Sequence, residues 1–307
     1  MRHDLFGRAL GVIMLTFALT QFAGCTSFNY TQPDSPIAMV SVPAMNPRPK
    51  VALVLGSGGP RGYAHIGVMK VLEEAGIEYE LVVGSSVGSL IGAFWANGYN
   101  ASQIDALSRE GGPLTVFDFS IFADRGWIHG QRLQDFVNDR LGNPSIEAMP
   151  RKFIAVATRL TDKNPVFFQS GNVGVAVRAS SAVSRIISPV GIRGVEYEDG
   201  DESLPVAVLA ARQAGAKFII AVDVTAVPGT APADTSAYRL EREAKRRARI
   251  DPELMHADFV IHPDLGFGTV PTPAFFEHAR RIGEQTARRS LSSLQAAIAA
   301  AEPLADR

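Results

Sequence analysis

Two glycine-rich stretches hold the residues best suited to chemistry. Gly84-Ser85-Ser86-Val87-Gly88 is a G-x-S-x-G pentapeptide that directly follows the apolar run Glu80-Leu-Val-Val83 and directly precedes the helical pattern Ser89-Leu-Ile-Gly-Ala-Phe-Trp-Ala-Asn-Gly98. On a strand, turn and helix, this pattern is a nucleophile elbow. Gly84 and Gly88 permit a tight, strained turn that lifts the Ser86 hydroxyl above the carboxyl edge of a sheet, where it can attack a carbonyl carbon. The pentapeptide alone equally fits an ordinary tight turn; the flanking strand and helix favour catalysis. The second stretch, Gly56-Ser57-Gly58-Gly59-Pro60-Arg61-Gly62, also lies between a strand and a helix and admits two readings. It could cradle a phosphate, or the amides of Gly58 and Gly59 could face a developing oxyanion. A dinucleotide fingerprint would need glycine where Ser57 stands, no Lys-Ser or Lys-Thr follows as in a P-loop, and Pro60 has no N–H to offer.

The elements that must position these loops are legible around them. Val51–Leu55 and Leu81–Val83 are short apolar runs ending in glycine, expected as buried parallel strands. Between them, residues 63–76 carry Ile66, Val68, Met69, Val71 and Leu72 at mostly helical spacing and stop at Gly76, so the three form a βαβ unit. Further strands are expected at 153–157, 166–168, 218–222 and 259–261, with helices near 87–97, 131–141, 173–182, 205–214 and 273–300. Such alternation predicts an α/β fold: a mainly parallel central sheet with helices on both faces. The densely charged run within 226–257 reads as a solvated helix face, or as one that meets anionic headgroups.

The string GSGGPRGYAHIGVMKVLEEAGIEYELVVGSSVGSLIGAFWANG resembles the opening of patatin-like phospholipases in order, spacing and flanking residues. The resemblance continues through Gly130–Leu133, Ala179-Ser-Ser-Ala182, Asp199-Gly200, Leu204-Pro-Val206 and Ala221-Val-Asp-Val224, and so covers residues 51–225. It implies a patatin-like three-layer architecture and a serine acyl hydrolase of the phospholipase A or lysophospholipase type, without metal or cofactor. Ser86 matches the nucleophile, Gly58, Gly59 and Arg61 match the oxyanion loop, and Asp199 matches the aspartate of a Ser–Asp dyad. In that role Arg61 either orients the loop or meets a phosphate. A catalytic histidine is then not required, and His65 is expected to be structural.

Several positions depart from the family pattern. Ser57 replaces the first loop glycine, which fits if its backbone keeps out of the φ > 0 region. Ser184 and Ser188 stand where prolines are usual, which affects the substrate channel. The loop Asp199-Gly-Asp-Glu-Ser203 is more acidic and shorter than usual, and its extra carboxylates could compete with Asp199 or alter its reach. That loop motivates the alternative of a non-catalytic, membrane-tethered lipid-binding or scaffold protein. A small-ester or thioester hydrolase is the chemically closer alternative.

The 30 Lys and Arg nearly balance the 31 Asp and Glu of the 307-residue chain, which argues against a protein held to nucleic acid by charge. Arg2 and Arg8 precede the apolar run Ala9–Ala23, too short for a comfortable bilayer span but the right length for the core of an export signal. It ends in Phe22-Ala-Gly-Cys25, similar to the lipobox of bacterial lipoproteins except for Phe22. Three regions are expected: a signal peptide over 1–24, a lipidated Cys25 with a Pro-rich semi-extended tether to residue 50, and a hydrolase domain over 51–307. Thr26 after the lone Cys implies export to the outer membrane, facing the periplasm. Membrane phospholipid or another lipid ester is the expected partner and substrate.

Overall fold

The computed structural model describes residues 29–110, 113–227, 229–268 and 270–305. Cys25 and the apolar run before it lie outside these residues. In chain order the elements are β1 (Asn29–Tyr30), β2 (Ala38–Met39), β3 (Val51–Leu55), α1 (Tyr63–Glu74), β4 (Leu81–Ser85), α2 (Val87–Ala96), α3 (Ala101–Arg109), α4 (Pro113–Val116), α5 (Gln131–Leu141) and β5 (Lys152–Arg159). They continue with β6 (Pro165–Phe168), α6 (Val173–Ser180), β7 (Val190–Ile192), β8 (Val195–Asp199), α7 (Val208–Gln213), β9 (Phe218–Val222), α8 (Ala237–Leu254), β10 (Phe259–Ile261) and α9 (Pro273–Ala305).

The ten strands of the described residues join one sheet, in the order β1-β7-β8-β5-β4-β3-β9-β10, with β6 branching from β5 and β2 from β6. The central strands β5, β4, β3, β9 and β10 run parallel, whereas β5–β6, β5–β8, β7–β8 and β2–β6 are antiparallel. The central strands read as continuous apolar runs because they are covered on both faces. Leu53, Leu55, Val82, Ile220 and Val222 pack in the larger core with α1, α2, α3, α5 and α9. Their neighbours Ala52, Val54, Leu81, Val83, Ile219 and Ala221 pack on the other side with α7 and Ile250 of α8. The three-layer α/β architecture expected from the sequence is therefore present. No helix among the described residues is long and apolar enough to cross a membrane.

The segment expected as a tether differs from residue 29 onward. Asn29 and Tyr30 pair with Gly191 and Ile192, and Ala38 and Met39 pair with Phe168 and Phe167. Val42 is buried and its amide bonds Gln213. Tyr30 is fixed by Arg178, whose guanidinium donates to the Tyr30 hydroxyl (2.7 Å), Gln131 Oε1 (2.8 Å) and the His129 carbonyl (2.7 Å). A run of prolines removes periodicity without preventing an extended chain from pairing at a sheet edge. The charged run likewise is more than a solvated face, since Arg246, Ile250 and Glu253 of α8 are buried.

Candidate active site

The register brings the two loops and the aspartate together. Ser85, last residue of β4, lies level with Val156 of β5, so Ser86 falls beside Ala157. Ala157 in turn pairs with Asp199, the last residue of β8 on the far side of β5. The Gly56–Gly62 loop leaves β3 at the same edge, since β3 and β4 are parallel neighbours. Carboxyl ends of parallel strands are where open α/β sheets place ligands.

Ser86 is the elbow residue. Its φ of 55° and ψ of −125° are unusual for a side-chain-bearing residue and cost on the order of 1–3 kcal/mol. The turn closes only because its two glycines lack side chains. A Cβ on Gly84 would sit 2.4 Å from the Gly88 carbonyl oxygen, and one on Gly88 would sit 2.1 Å from that of Leu55. The Ser86 hydroxyl donates to Asp199 Oδ2 at 2.7 Å, and both side chains are buried. The Ser86 amide donates to Ser180 Oγ at 3.0 Å, which gives the Ala179–Ala182 motif a physical role.

Asp199 is held from three sides. Its Oδ1 accepts the Asp201 amide at 2.8 Å, its carbonyl accepts the Thr158 hydroxyl, and its Oδ2 accepts Ser86. Burial first, then the nearby Asp201 carboxylate, pushes its carboxyl up from 3.8 to about 8, against the opposing pull of those hydrogen bonds and of Arg246. A carboxylate poised near neutrality is suited to taking and returning a hydroxyl proton. The short acidic loop does not pull Asp199 out of reach. Asp201 instead turns its carboxylate to Arg246 (2.7 Å to Nε) and accepts a hydrogen bond from the Ser57 hydroxyl. The adjacent Glu198, on the opposite side of β8, bonds Lys163 and Ser184. Ser184 thus makes a contact that a proline could not.

In the Gly-rich loop, Ser57 is not among the residues with positive φ, whereas Gly59 is, at 53°. Gly59 lines the cavity beside Ser86. Arg61 serves the loop rather than the cavity: its amide bonds the Gly58 carbonyl (3.2 Å) and its buried guanidinium donates to the Phe267 carbonyl (2.7 Å). His65 Nε2 lies 2.7 Å from the Gly56 carbonyl, and burial drives its pKa down to about 4, so it is a neutral donor holding the start of the loop.

A cavity of about 560 Å³ is lined by Ser86 and extends between α2, α5 and α9. Leu90, Phe94, Leu133, Phe136, Val183 and Phe276 give it an apolar lining. Of its charged lining residues, Arg109 and Arg280 are both ion-paired with Glu277, which also lines it, and with Asp105 behind them.

The model of the family described as patatin-like phospholipase matches residues 53–209. The chain belongs to the patatin-like phospholipase family. The match spans every loop just described, from the strand before the Gly-rich loop to the helix after the Asp199 loop. An uncharacterised NTE family protein of Mycobacterium tuberculosis is 38% identical over 170 residues, which are 53% of this chain and 46% of that protein. Lysophospholipase NTE1 of Coccidioides immitis is 33% identical over 189 residues, 59% of this chain but 12% of the fungal protein. The chain therefore matches half or less of the length of these curated relatives. Among solved structures, VipD from Legionella pneumophila shares the patatin-like fold at 13% identity with a TM-score of 0.54, over 85% of this chain and 71% of that one.

Of the site residues expected from the sequence, Ser86 and Asp199 are hydrogen-bonded, Gly84 and Gly88 close the elbow, Gly59 lines the cavity with Ser86, and Arg61 takes a supporting place. Sequence reasoning missed Ser180 as the partner of the Ser86 amide, and Arg246 and Asp201 as a bonded pair beside Asp199. Ser180 lies within the Ala179–Ala182 motif, whereas Arg246 carries no local signal beyond its place in a charge run.

Proposed function

We propose that this protein is a lipid acyl hydrolase working through a Ser86–Asp199 dyad. The carrying observation is the 2.7 Å hydrogen bond to a buried aspartate of raised proton affinity from Ser86, which lines an apolar cavity. Ser86 Oγ attacks the ester carbonyl carbon as its proton passes to Asp199. The amides of Gly58 and Gly59 hold the resulting oxyanion. Collapse breaks the bond to the alcohol, which takes the proton from Asp199, and leaves an acyl-Ser86 ester. Asp199 then draws a proton from water, whose oxygen attacks the acyl carbon; the carboxylic acid departs and the proton returns to Ser86.

The cavity supports a long acyl chain over a small ester, because its apolar lining would stay unsatisfied beside a short one. Phospholipids and lysophospholipids are both within the proposed class; the Coccidioides relative bears the name lysophospholipase. Segments leading out of the cavity at Phe117 and Ile187 expose Ile121, Phe122, Trp127 and Ile186, which suits a lipid surface. Export and anchoring through a lipidated Cys25 in the outer membrane belong to the same proposal. The scaffold alternative was motivated by the short acidic loop, through altered reach or competing charge; the 2.7 Å Ser86–Asp199 bond argues against the first, and the pairing of Asp201 with Arg246 weighs against the second.

Trapping with a fluorophosphonate tests the proposal. The expected result is labelling of wild type that is lost in Ser86→Ala, together with fatty-acid release from a phospholipid and lysophospholipid panel. Equal labelling of the two proteins, or none in either, would overturn it.

A further inference from the structure

Two of the departures from the family pattern, Ser57 and Asp201, lie 144 residues apart in sequence and meet in space. The Ser57 hydroxyl donates to Asp201 Oδ1, and a third residue meets both: Arg246 Nη2 donates to Ser57 Oγ at 2.9 Å, and its Nε is ion-paired at 2.7 Å with the same Asp201 oxygen without the alignment of a hydrogen bond. Ser57 is 1% exposed and Arg246 is 7% exposed, so a guanidinium has been taken from water to sit here. A buried cation is retained only where its partners are fixed and complementary. Each partner leads to one half of the site. Ser57 begins the loop that carries Gly58 and Gly59. Asp201 donates its amide to Asp199.

We infer that Arg246 is a positioning residue that locks the oxyanion loop and the Asp199 loop in register through a Ser57–Asp201–Arg246 clamp. The inference rests on the reading of Ser86 and Asp199 as the reacting pair. The clamp also sets the charge around Asp199. The charged groups that bear on it are Asp201 from its own loop and Arg246 from α8, with Glu243 and Asp223 flanking Arg246. Asp201 alone would disfavour the Asp199 carboxylate, and Arg246 offsets that. The helix read from sequence as a solvated charge run thereby supplies a cation to the centre of the molecule. It also explains how an Asp can stand in the loop after Asp199 without silencing it.

The clamp makes a prediction of opposite signs. With Asp199 as base, Ser86 reactivity rises as pH climbs through the Asp199 pKa. Loss of Arg246 removes the favourable cation, so that rise moves to higher pH. Loss of the Asp201 charge removes repulsion, so it moves to lower pH. The test is the rate of Ser86 labelling by a fluorophosphonate in the full chain, followed from acidic to alkaline pH. Arg246→Met is expected to shift the midpoint up by about one pH unit, Asp201→Asn to shift it down by a similar amount, and the double variant to return near wild type. Arg246→Lys should restore part of the shift. Ser57→Ala keeps the ion pair and should slow labelling with the midpoint unmoved, which reads the loop half of the clamp separately. Shifts in the same direction, or loss of amplitude alone in every variant, would overturn the clamp while leaving the dyad intact. Absence of labelling in wild type would instead sink the dyad reading. The same variants then test the clamp by thermal unfolding, where additive losses of Arg246→Met and Asp201→Asn would refute their coupling.

Discussion

Ser86 sits on a border between two unlike regions. On one side lies the apolar cavity between α2, α5 and α9, built from residues such as Leu90, Leu133 and Phe276 that touch through dispersion and have no directional demands. On the other lie buried and half-buried polar groups beneath α8: Ser57, Asp201 and Arg246 meet one another and reach Asp199 through the Asp201 amide, and Asp223 pairs with Arg247 beside them. Apolar packing tolerates exchange of shape at roughly constant volume, whereas a buried polar network loses the desolvation cost of each group left without its partner. The first region should therefore govern which substrate is accepted. The second should govern whether any is turned over.

The largest separation of the two comes from Asp199→Asn. It keeps the shape of the site but removes the base, and should lower the rate of ester hydrolysis on the order of 10³–10⁴-fold for short and long acyl chains alike. It should also stabilise the fold above mid-range pH. In wild type the folded Asp199 holds its proton up to about 8 while the unfolded carboxyl releases its own near 3.8, so stability falls as pH rises between those values. Urea unfolding across that range should show a shallower decline in the variant. An equal slope would mean that Asp199 is not held in this environment.

On the apolar side, Leu133→Trp places bulk in the cavity from α5, a helix that carries neither dyad residue. Activity toward long-chain esters should fall by about 10–100-fold, while short-chain esters change by about threefold or less, a split read from kcat/KM across a chain-length series. A uniform fall for every chain length would show that the cavity does not hold the acyl group.

The same division explains what the sequence made visible. Strands β3, β4 and β9 announce themselves because burial on both faces leaves uninterrupted apolar runs, and the elbow is legible because all its determinants fall within one strand, turn and helix. The β7–β8 hairpin was missed although Arg193 and Gly194, with φ of 52° and 81°, form a tight turn and Val195-Glu-Tyr-Glu-Asp199 alternates. Strands β1 and β2 have two residues each, too few to show any period. Arg246 was illegible for a different reason. Its partners Ser57 and Asp201 come from remote loops, and only the folded register reveals that a cation is needed between them.

His65 offers the smallest effect and a check on whether the polar region is as dry as its bonding implies. Its ring is fully buried and neutral, donating to the Gly56 carbonyl, with a pKa lowered from 6.5 to about 4. The unfolded chain takes up a proton below 6.5 that the folded chain refuses until about 4, so this group makes stability fall as pH drops through that window. Between pH 4 and 6.5 the contribution opposes that of Asp199, which falls in the other direction, and the two partly cancel in wild type. His65→Gln keeps an N–H donor for Gly56 but cannot titrate. It should cost about 1–2 kcal/mol at neutral pH through imperfect packing, and it should lose this group's share of the acid-side decline. With that contribution removed, the stability of the variant should fall less steeply than that of wild type as pH drops from 6.5 to 4. An acid-side decline equal to that of wild type would show that burial does not depress His65 and that water reaches the base of the oxyanion loop.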